Sequence, residues 1–510
     1  MDGVNYEKEG GSEIVLAIVG ALGVDHKKVI EALESRFMQY DYSSSVTKIS
    51  REVIPDLSNK VIPEGKYKRA KFLIDEGDAL REQYKDNSIL VLGALDSIYK
   101  TRVKDAEYNK VEHGVNVVLD KRVRIISSLK RPEEVDCLRS VYPRGVYMIG
   151  VYADPERRAK RLSCEDGGMT LEEAMSLMKI DEKEKGEYGQ RTRDTFHLSD
   201  FFVEDSGNED FFKAQINRIV DLIFGHPFET PSFDEYAMFH AFSASLRSAD
   251  LSRQVGAVIA ANREILAMGA NDCPRPEGGL FWREMDETSY YDEKGGRDYT
   301  VGKDMNTSVR GDLFNEAVNS ITQIKSCEKV DKGEVLHALE DTGLSDITEY
   351  GRMVHAEMEA LLCCSRTNVS CRGATLYATT FPCHNCAKHI IAAGITNIVY
   401  VEPYPKSRTL EFYGIDDAYL DKIKFRPFIG VGPRQFFNLF SMNLSAGGAI
   451  KRKKSCGQVV EFIPKLAVPR IAIRPYTYVH IERSISEALT KIKSNEENSD
   501  QTDSKAGTTT

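Results

Sequence analysis

The chain is 510 residues long, yet no apolar run in it approaches the roughly 20 residues that a membrane-spanning helix needs. A membrane protein of that kind is not expected. Cysteine is sparse, with 10 in the whole chain, too few for a dense disulfide framework. No secretory leader pattern opens the sequence, and the expected setting is the reducing cytoplasm. An excess of positive charge is missing as well. The 68 lysines and arginines face 78 acids, for a net charge of −10, which argues against a broad electrostatic footprint for nucleic acid and leaves only a local basic patch. What remains is 41% hydrophobic and 29% charged, an ordinary globular composition long enough for two or three domains.

The chemistry is densest between His355 and Cys386. The chain reads His355-Ala356-Glu357 and then, beyond residues 358–381, Pro382-Cys383-His384-Asn385-Cys386. One imidazole and two thiolates are the three ligands of a zinc ion that keeps its fourth position open for water. Bound zinc makes hydroxide available near neutral pH. Glu357 is not a ligand in this scheme; it is placed to take the proton of the water. A structural zinc would want a fourth ligand rather than a free glutamate. Residues 373–380 (GATLYATT) predict a buried strand ending just before Pro382. Ala387–Ala393 predicts a helix whose first turn carries the cysteines, where the helix dipole favours thiolate.

From the start of the chain, residues 13–19 (EIVLAIV) predict a central parallel strand. Gly20-Ala21-Leu22-Gly23-Val24-Asp25 then turns into a helix from about Lys27 to Phe37, the frame of a phosphate-binding loop. The full G-x-x-x-x-G-K-[ST] pattern is absent. Counted from Gly20, it puts Asp25, His26 and Lys27 where glycine, lysine and serine or threonine belong. Gly20, Gly23 and Lys27 stay candidates for holding ATP or another nucleotide, and phosphoryl transfer is disfavoured. Further strands are expected at 88–94, 115–119, 123–127, 146–153 and 201–203, with helices at 132–142, 155–162 and 209–224 between and after them. Such alternation predicts a parallel sheet covered on both faces.

Gly225-His226-Pro227-Phe228-Glu229-Thr230-Pro231-Ser232 breaks the pattern and marks a boundary. A helix at 233–249 and two strands reaching Gly269 follow. Residues 283–350 form an insertion, helical at 311–324 and 332–340, expected to be a lid or an oligomer contact. Cys363, Cys364 and Cys371 are expected to be buried thiols rather than a second metal site. A strand at 397–402 leads into Pro403-Tyr404-Pro405-Lys406, where Tyr404 and Lys406 would approach a base or phosphate at the strand's end. The aromatic stretch 425–440 is expected to cover a core, and 485–510 to be a disordered tail.

Several stretches resemble known families. The paired H-x-E and P-C-x-x-C have the spacing of zinc-dependent nucleobase deaminases. SADLSRQVGAVI with the GAND turn, and AKHIIAAGI after the cysteines, resemble deoxycytidylate (dCMP) deaminases. That resemblance implies a sugar contact from Asn271. Arg253 and Lys406 are candidates for the phosphates, with Arg247 and Arg408 as further guesses. The run 128–162 resembles the late part of a P-loop nucleotide or dephospho-coenzyme-A kinase, with 181–194 in the place of its lid. The combination resembles bacterial anti-phage deoxycytidine-nucleotide deaminases. It implies an α/β chain of two domains: a degenerate P-loop kinase-like sheet over 1–226, and a three-layer α/β/α cytidine-deaminase fold over 230–465. It also implies conversion of dCTP and dCMP to deoxyuridine nucleotides, homo-oligomers, and restraint by a small RNA or other inhibitor. Two other readings stay open: a deaminase of a base in RNA or single-stranded DNA, and a nucleotide-binding switch.

Overall fold

The computed structural model describes residues 13–108, 121–165, 168–182, 187–324, 330–340, 342–347, 349–402, 407–413, 422–443, 447–471 and 475–506. The chain forms two compact units. One comprises Met1–Ser232 together with Ile429–Thr510, and the other Phe233–Phe428. Among the described residues no helix is long and apolar enough to cross a membrane.

The first unit is built on β1 (Ile14–Gly20), β2 (Ser43–Lys48), β3 (Arg122–Leu129), β4 (Val146–Tyr152) and β5 (Phe201–Glu204). They lie parallel in the order β5-β4-β1-β3-β2, and the two-residue strand Gly430–Val431 adds antiparallel to β5. Alternate residues of a strand face opposite sides, and here both sides are covered. Ile14, Leu16 and Ile18 enter one core, with Leu33 and Phe37 of helix His26–Gln39 and Ile216 of helix Glu209–Ile223. Val15, Ala17 and Val19 enter the other, with Leu90 of helix Ile89–Tyr108, Leu138 of helix Pro132–Val141 and Val479 of helix Pro475–Ala506. Burial on both faces is why β1 is an unbroken apolar run.

Several expectations are corrected. Of the run Ser88–Ala94, expected as a strand, all but Ser88 lies in helix Ile89–Tyr108. Its apolar residues continue to Leu95 and Ile98, both buried, at helical spacing, and a short apolar window does not separate the two conformations. The stretch 115–119 lies outside the described residues. The units divide after Ser232 and after Phe428, where the sequence suggested 226–230 and 465. The expected disordered tail is helical as far as Ala506. That helix has a buried face to supply: Glu482 accepts from Arg102 Nε at 2.9 Å and from Tyr142, while Tyr478 donates to Glu13 at 3.1 Å. A second arginine, Arg124, lies 3.7 Å from Glu13.

The second unit carries β6 (Gly256–Ala261), β7 (Glu264–Ala270), a small hairpin of β8 (Glu284–Met285) and β9 (Tyr290–Tyr291), then β10 (Thr375–Thr380), β11 (Asn397–Glu402) and β12 (Lys424–Pro427). Its main sheet runs β12-β11-β10-β6-β7, with the β10–β6 and β6–β7 pairings antiparallel and the others parallel. Ile259, Leu376 and Ile398 pack with Ala356 and Ala360 of helix Ala356–Arg366 and Ile390 of helix His384–Ala392. On β10, Tyr377 contacts helix Phe233–Ser245 through Phe233 and through its hydroxyl, which donates to Asp234 at 2.6 Å.

Candidate metal centre and its cavity

Two helix N-termini meet at the end of β10. His355 is the N-cap of helix Ala356–Arg366, and Cys383 is the N-cap of helix His384–Ala392. Each takes extended backbone angles before its helix begins, φ −68° and ψ 152° at His355 and φ −68° and ψ 162° at Cys383. Pro382 ends the strand, and its carbonyl accepts from Ser407 and Thr409 at 2.7 and 3.1 Å. The Cys383 sulfur accepts from the Cys386 N–H at 3.4 Å, as an N-cap side chain should. Helix Ala356–Arg366 reaches this position because β7 presents no side chain where it crosses. A Cβ on Gly269 would stand 2.1 Å from the Ala356 carbonyl and 2.5 Å from the Ala360 nitrogen.

His355 Nδ1 lies 3.4 Å from Cys383 Sγ and 3.3 Å from Cys386 Sγ, and the three ligand atoms lie within 4.8 Å of one another. Tetrahedral zinc with bonds of about 2.1 Å to nitrogen and about 2.3 Å to sulfur separates such atoms by about 3.6–3.8 Å. The two nitrogen–sulfur separations lie within a few tenths of an ångström of that spacing. Among the described residues no other group of three histidines, cysteines or acids converges in this way. Cys364 is a buried thiol pushed up to about 11 by burial and by neighbouring Cys371 and Cys363, in keeping with a packed cysteine.

The electrostatics fit a cation. Hydrogen bonding, first with Cys386 and then with His355, holds the Cys383 thiol well below its usual range. His355 is raised to about 9 by its hydrogen bond to Cys383. Cys386 is pushed up by its bond to Cys383 and by burial. Proton and thiolate are thus shared within the cluster, and a divalent ion replaces the proton. Glu357 is 4% exposed, with Oε2 3.6 Å from Cys386 Sγ. Burial pushes its carboxyl upward, against the pull of His355.

The cluster forms one wall of a cavity of about 430 Å³, which Asp250, Arg253, Asn271, Asp304, Arg310 and Phe381 also line. Asn271 is 6% exposed; its Oδ1 accepts from Val255 N at 2.7 Å and its Nδ2 donates to the Arg253 carbonyl at 2.9 Å. These bonds clamp the start of β6 to the end of β7 and use part of the amide. The Arg253 guanidinium lies 3.4 Å from Glu402. Arg247 and Arg408 are not in the wall. Arg247 stacks on Trp282 at 3.5 Å and Arg408 pairs with Glu411. Tyr404 and Lys406 lie outside the described residues.

Asp304 and Arg310 were not legible as site residues. They come from the insertion, on helix Met305–Thr322, whose N-cap Asp304 accepts from Thr307 at 2.5 Å. A capping aspartate before a helical run was the available signal.

At the turn after β1 the structure brings Gly23 and Lys27, but not Gly20, to the wall of a separate cavity of the first unit. Gly23 has φ +92°, and a Cβ there would come within 2.9 Å of the Arg158 carbonyl, so glycine is required by packing. Lys27 is exposed and lies 3.5 Å from Glu31.

The family model for the cytidine and deoxycytidylate deaminase zinc-binding region matches residues 231–402. Over 171 residues the chain is 31% identical to the deoxycytidylate deaminase of Enterobacteria phage T2, covering 33% of this chain and 79% of that protein. The chain belongs to the cytidine and deoxycytidylate deaminase family. Its cofactor is zinc, which the His/Cys/Cys group of this family member fits. The Homo sapiens deoxycytidylate deaminase is 32% identical over 89 residues, 18% of this chain and 44% of that protein. A crystal structure of dCMP deaminase from cyanophage S-TIM5 in complex with dCMP and dUMP aligns with 39% of this chain and 100% of its own. Its identity is 18% and its TM-score 0.23, too low to bear on the site.

Proposed function

We propose that the protein hydrolytically deaminates deoxycytidine nucleotides, dCTP and dCMP, to deoxyuridine nucleotides and ammonia, with His355, Cys383 and Cys386 holding the zinc. The observation that carries this is the placement of Glu357: a buried carboxylate that is no part of the ligand triad and opens onto the same cavity. When bound in such an open three-ligand site, zinc makes water a nucleophile near neutral pH. The chain's own residues do the rest. Glu357 takes a proton from that water and hands it to N3 of the ring as the oxygen bonds to C4; the proton left on that oxygen then passes to the exocyclic nitrogen, the C4–N bond breaks and ammonia leaves, so the amidine becomes an amide. Phe381, in the cavity wall, offers an apolar surface for the base. Arg253 and Arg310, in the same wall, offer charge to the phosphates. The deoxycytidylate deaminases among its relatives support a nucleotide substrate over a polymer.

We also infer that this activity serves antiviral defence by draining the deoxycytidine nucleotide pool, the reading that the sequence resemblance carries. Ammonia release is measured with dCTP, dCMP, CTP, cytidine and deoxyadenosine nucleotides offered in parallel, and a Glu357→Ala variant is run beside them. Release from dCTP or dCMP that falls by at least about 10³-fold in the variant, with zinc retained, is expected. Release from deoxyadenosine nucleotides alone would overturn the substrate. Expression during phage challenge tests the biology: protection must need Glu357 and coincide with loss of dCTP.

A further inference from the structure

Residues 447–471 carry six lysines and arginines and one acid, Glu461, in a chain whose net charge is −10. Both ends of this stretch are tied to the first unit. Gly448 N donates to the Arg470 carbonyl at 2.9 Å, and Arg470 N donates to that of Ile223 at 2.8 Å. Between them the chain folds into a short antiparallel arm. Lys453 and Val459 stand opposite each other, and Lys454 N donates to the Gln458 carbonyl at 2.7 Å. The turn closes through Gly457 at φ +86°, the left-handed position of a three-residue hairpin loop.

Alternation along an extended arm gives it two faces. Arg452 looks inward, its Nε donating to the Pro227 carbonyl at 2.8 Å. Lys451, Lys453 and Val459 are exposed, as is Lys454 at the turn. Among the described residues none of these lysines pairs with a carboxylate. The chain beyond the arm is also divided. Phe462 packs on His226 and Tyr40, with ring centroids 4.4 and 6.2 Å away, and Ala467 joins the same core. Ile463, Leu466 and Val468 are left outside. Leu466 is 75% exposed, Val468 71% and, on the arm, Val459 65%. The outer surface of this stretch is thus lysine and aliphatic side chain.

We propose that this arm and the segment behind it rest reversibly on an anionic lipid bilayer, with the lysines against headgroup phosphates and the aliphatic side chains at the edge of the acyl layer. Charge attraction and shallow apolar burial are the two forces that hold a peripheral protein to such a surface. The remainder of the chain is more acidic than the whole, so the same bilayer attracts this side and repels the others. Phe462, the aromatic residue of the stretch, is turned inward, which leaves no platform on which RNA bases stack. A protein partner would need a pocket shaped to each projecting side chain. Acyl chains flow around them.

The test is flotation of the full-length protein with vesicles of phosphatidylglycerol and phosphatidylcholine in equal parts, and with phosphatidylcholine alone. Binding should appear with the first, be absent with the second, and weaken as salt is raised. A lysine near an anionic surface contributes about fivefold to partitioning. Lys451→Glu with Lys453→Glu and Lys454→Glu should therefore weaken binding at least about 100-fold. Leu466→Ser with Val468→Ser should weaken it roughly tenfold and keep the salt dependence. These side chains are exposed, so the circular dichroism of both variants should match the parent. No flotation with the anionic vesicles would overturn the proposal, and so would equal flotation of the charge-reversed protein. Undiminished binding of the serine variant would overturn the apolar contact. An oligoribonucleotide held by these lysines, with no vesicle binding, would give the patch to nucleic acid. A dimer lost in the serine variant, again without flotation, would give it to a second copy. Either result overturns the lipid surface.

Discussion

The two units share a construction and use it in opposite ways. Each sets a helix N-terminus at the end of a central strand. At the end of β10 two helix caps are chemistry-bearing side chains, His355 from the helix before the strand and Cys383 from the helix after it, that meet Cys386 and face a cavity with Glu357. After β1 the turn is answered from within the chain. Lys130 bonds the Gly20 carbonyl at 2.8 Å, Arg158 that of Leu22 at 3.3 Å, Arg161 that of Gly23 at 3.1 Å, and Asp181 takes the Leu22 N–H. A strand-turn-helix frame is therefore a piece of architecture. Reactive chemistry resides where the fold turns polar groups towards a space and towards one another.

The strongest way to break this contrast is at the metal. Cys386→Ala should release zinc and take deamination down by at least about 10³-fold, while a first-unit variant such as Arg51→Glu keeps its zinc; metal analysis and ammonia release read both. Next comes geometry. Gly269→Ala forces a methyl into the backbone of helix Ala356–Arg366 and should cost roughly 1–3 kcal/mol of stability. It should also cost about 100-fold in kcat by moving Glu357. An unchanged rate would separate the helix position from the chemistry. Smaller still, Arg310→Ala should raise KM for dCTP about tenfold and leave kcat little changed, because the side chain lines the cavity without reaching the metal cluster. Equal losses with cytidine would deny it a phosphate role.

The least effect is expected in the first unit and depends on pH. Burial, then nearby Lys130, pushes His26 from 6.5 down to about 3. A folded pKa below the unfolded one gives stability that is present above about 6.5 and lost as pH falls through about 3. His26→Gln should flatten that slope. Denaturant midpoints measured between these pH values for both proteins provide the check.

The metal centre was legible because its ligands and Glu357 lie in two short segments, each with a local signature: an N-capped helix start and a proline-terminated strand. Arg310 was hidden by distance, since nothing in the helix that carries it points at residues 355–386. Gly269 was hidden for another reason: its role is the absence of a side chain beneath a helix far along the chain. The parallel sheet of the first unit showed in the doubly buried run of β1. Its completion by Gly430–Val431 did not, because two residues carry no periodicity. Helix Ile89–Tyr108 was misplaced because an apolar stretch that serves a two-sided core has the same composition in either conformation. The last helix was missed because its polarity concealed Glu482, which is buried on Arg102.

That last helix has a consequence for how the protein is made. Residues 1–232 and 429–510 form one unit, with residues 233–428 translated between them. At about 5–20 residues per second, a ribosome leaves Arg102 and Arg124 sharing Glu13 for on the order of ten seconds or more before Glu482 emerges. During that interval Arg102 lacks the Glu482 carboxylate, and the core that Tyr478 and Val479 complete is unfinished. The second unit is therefore complete in the chain before the unit that began first has its last helix.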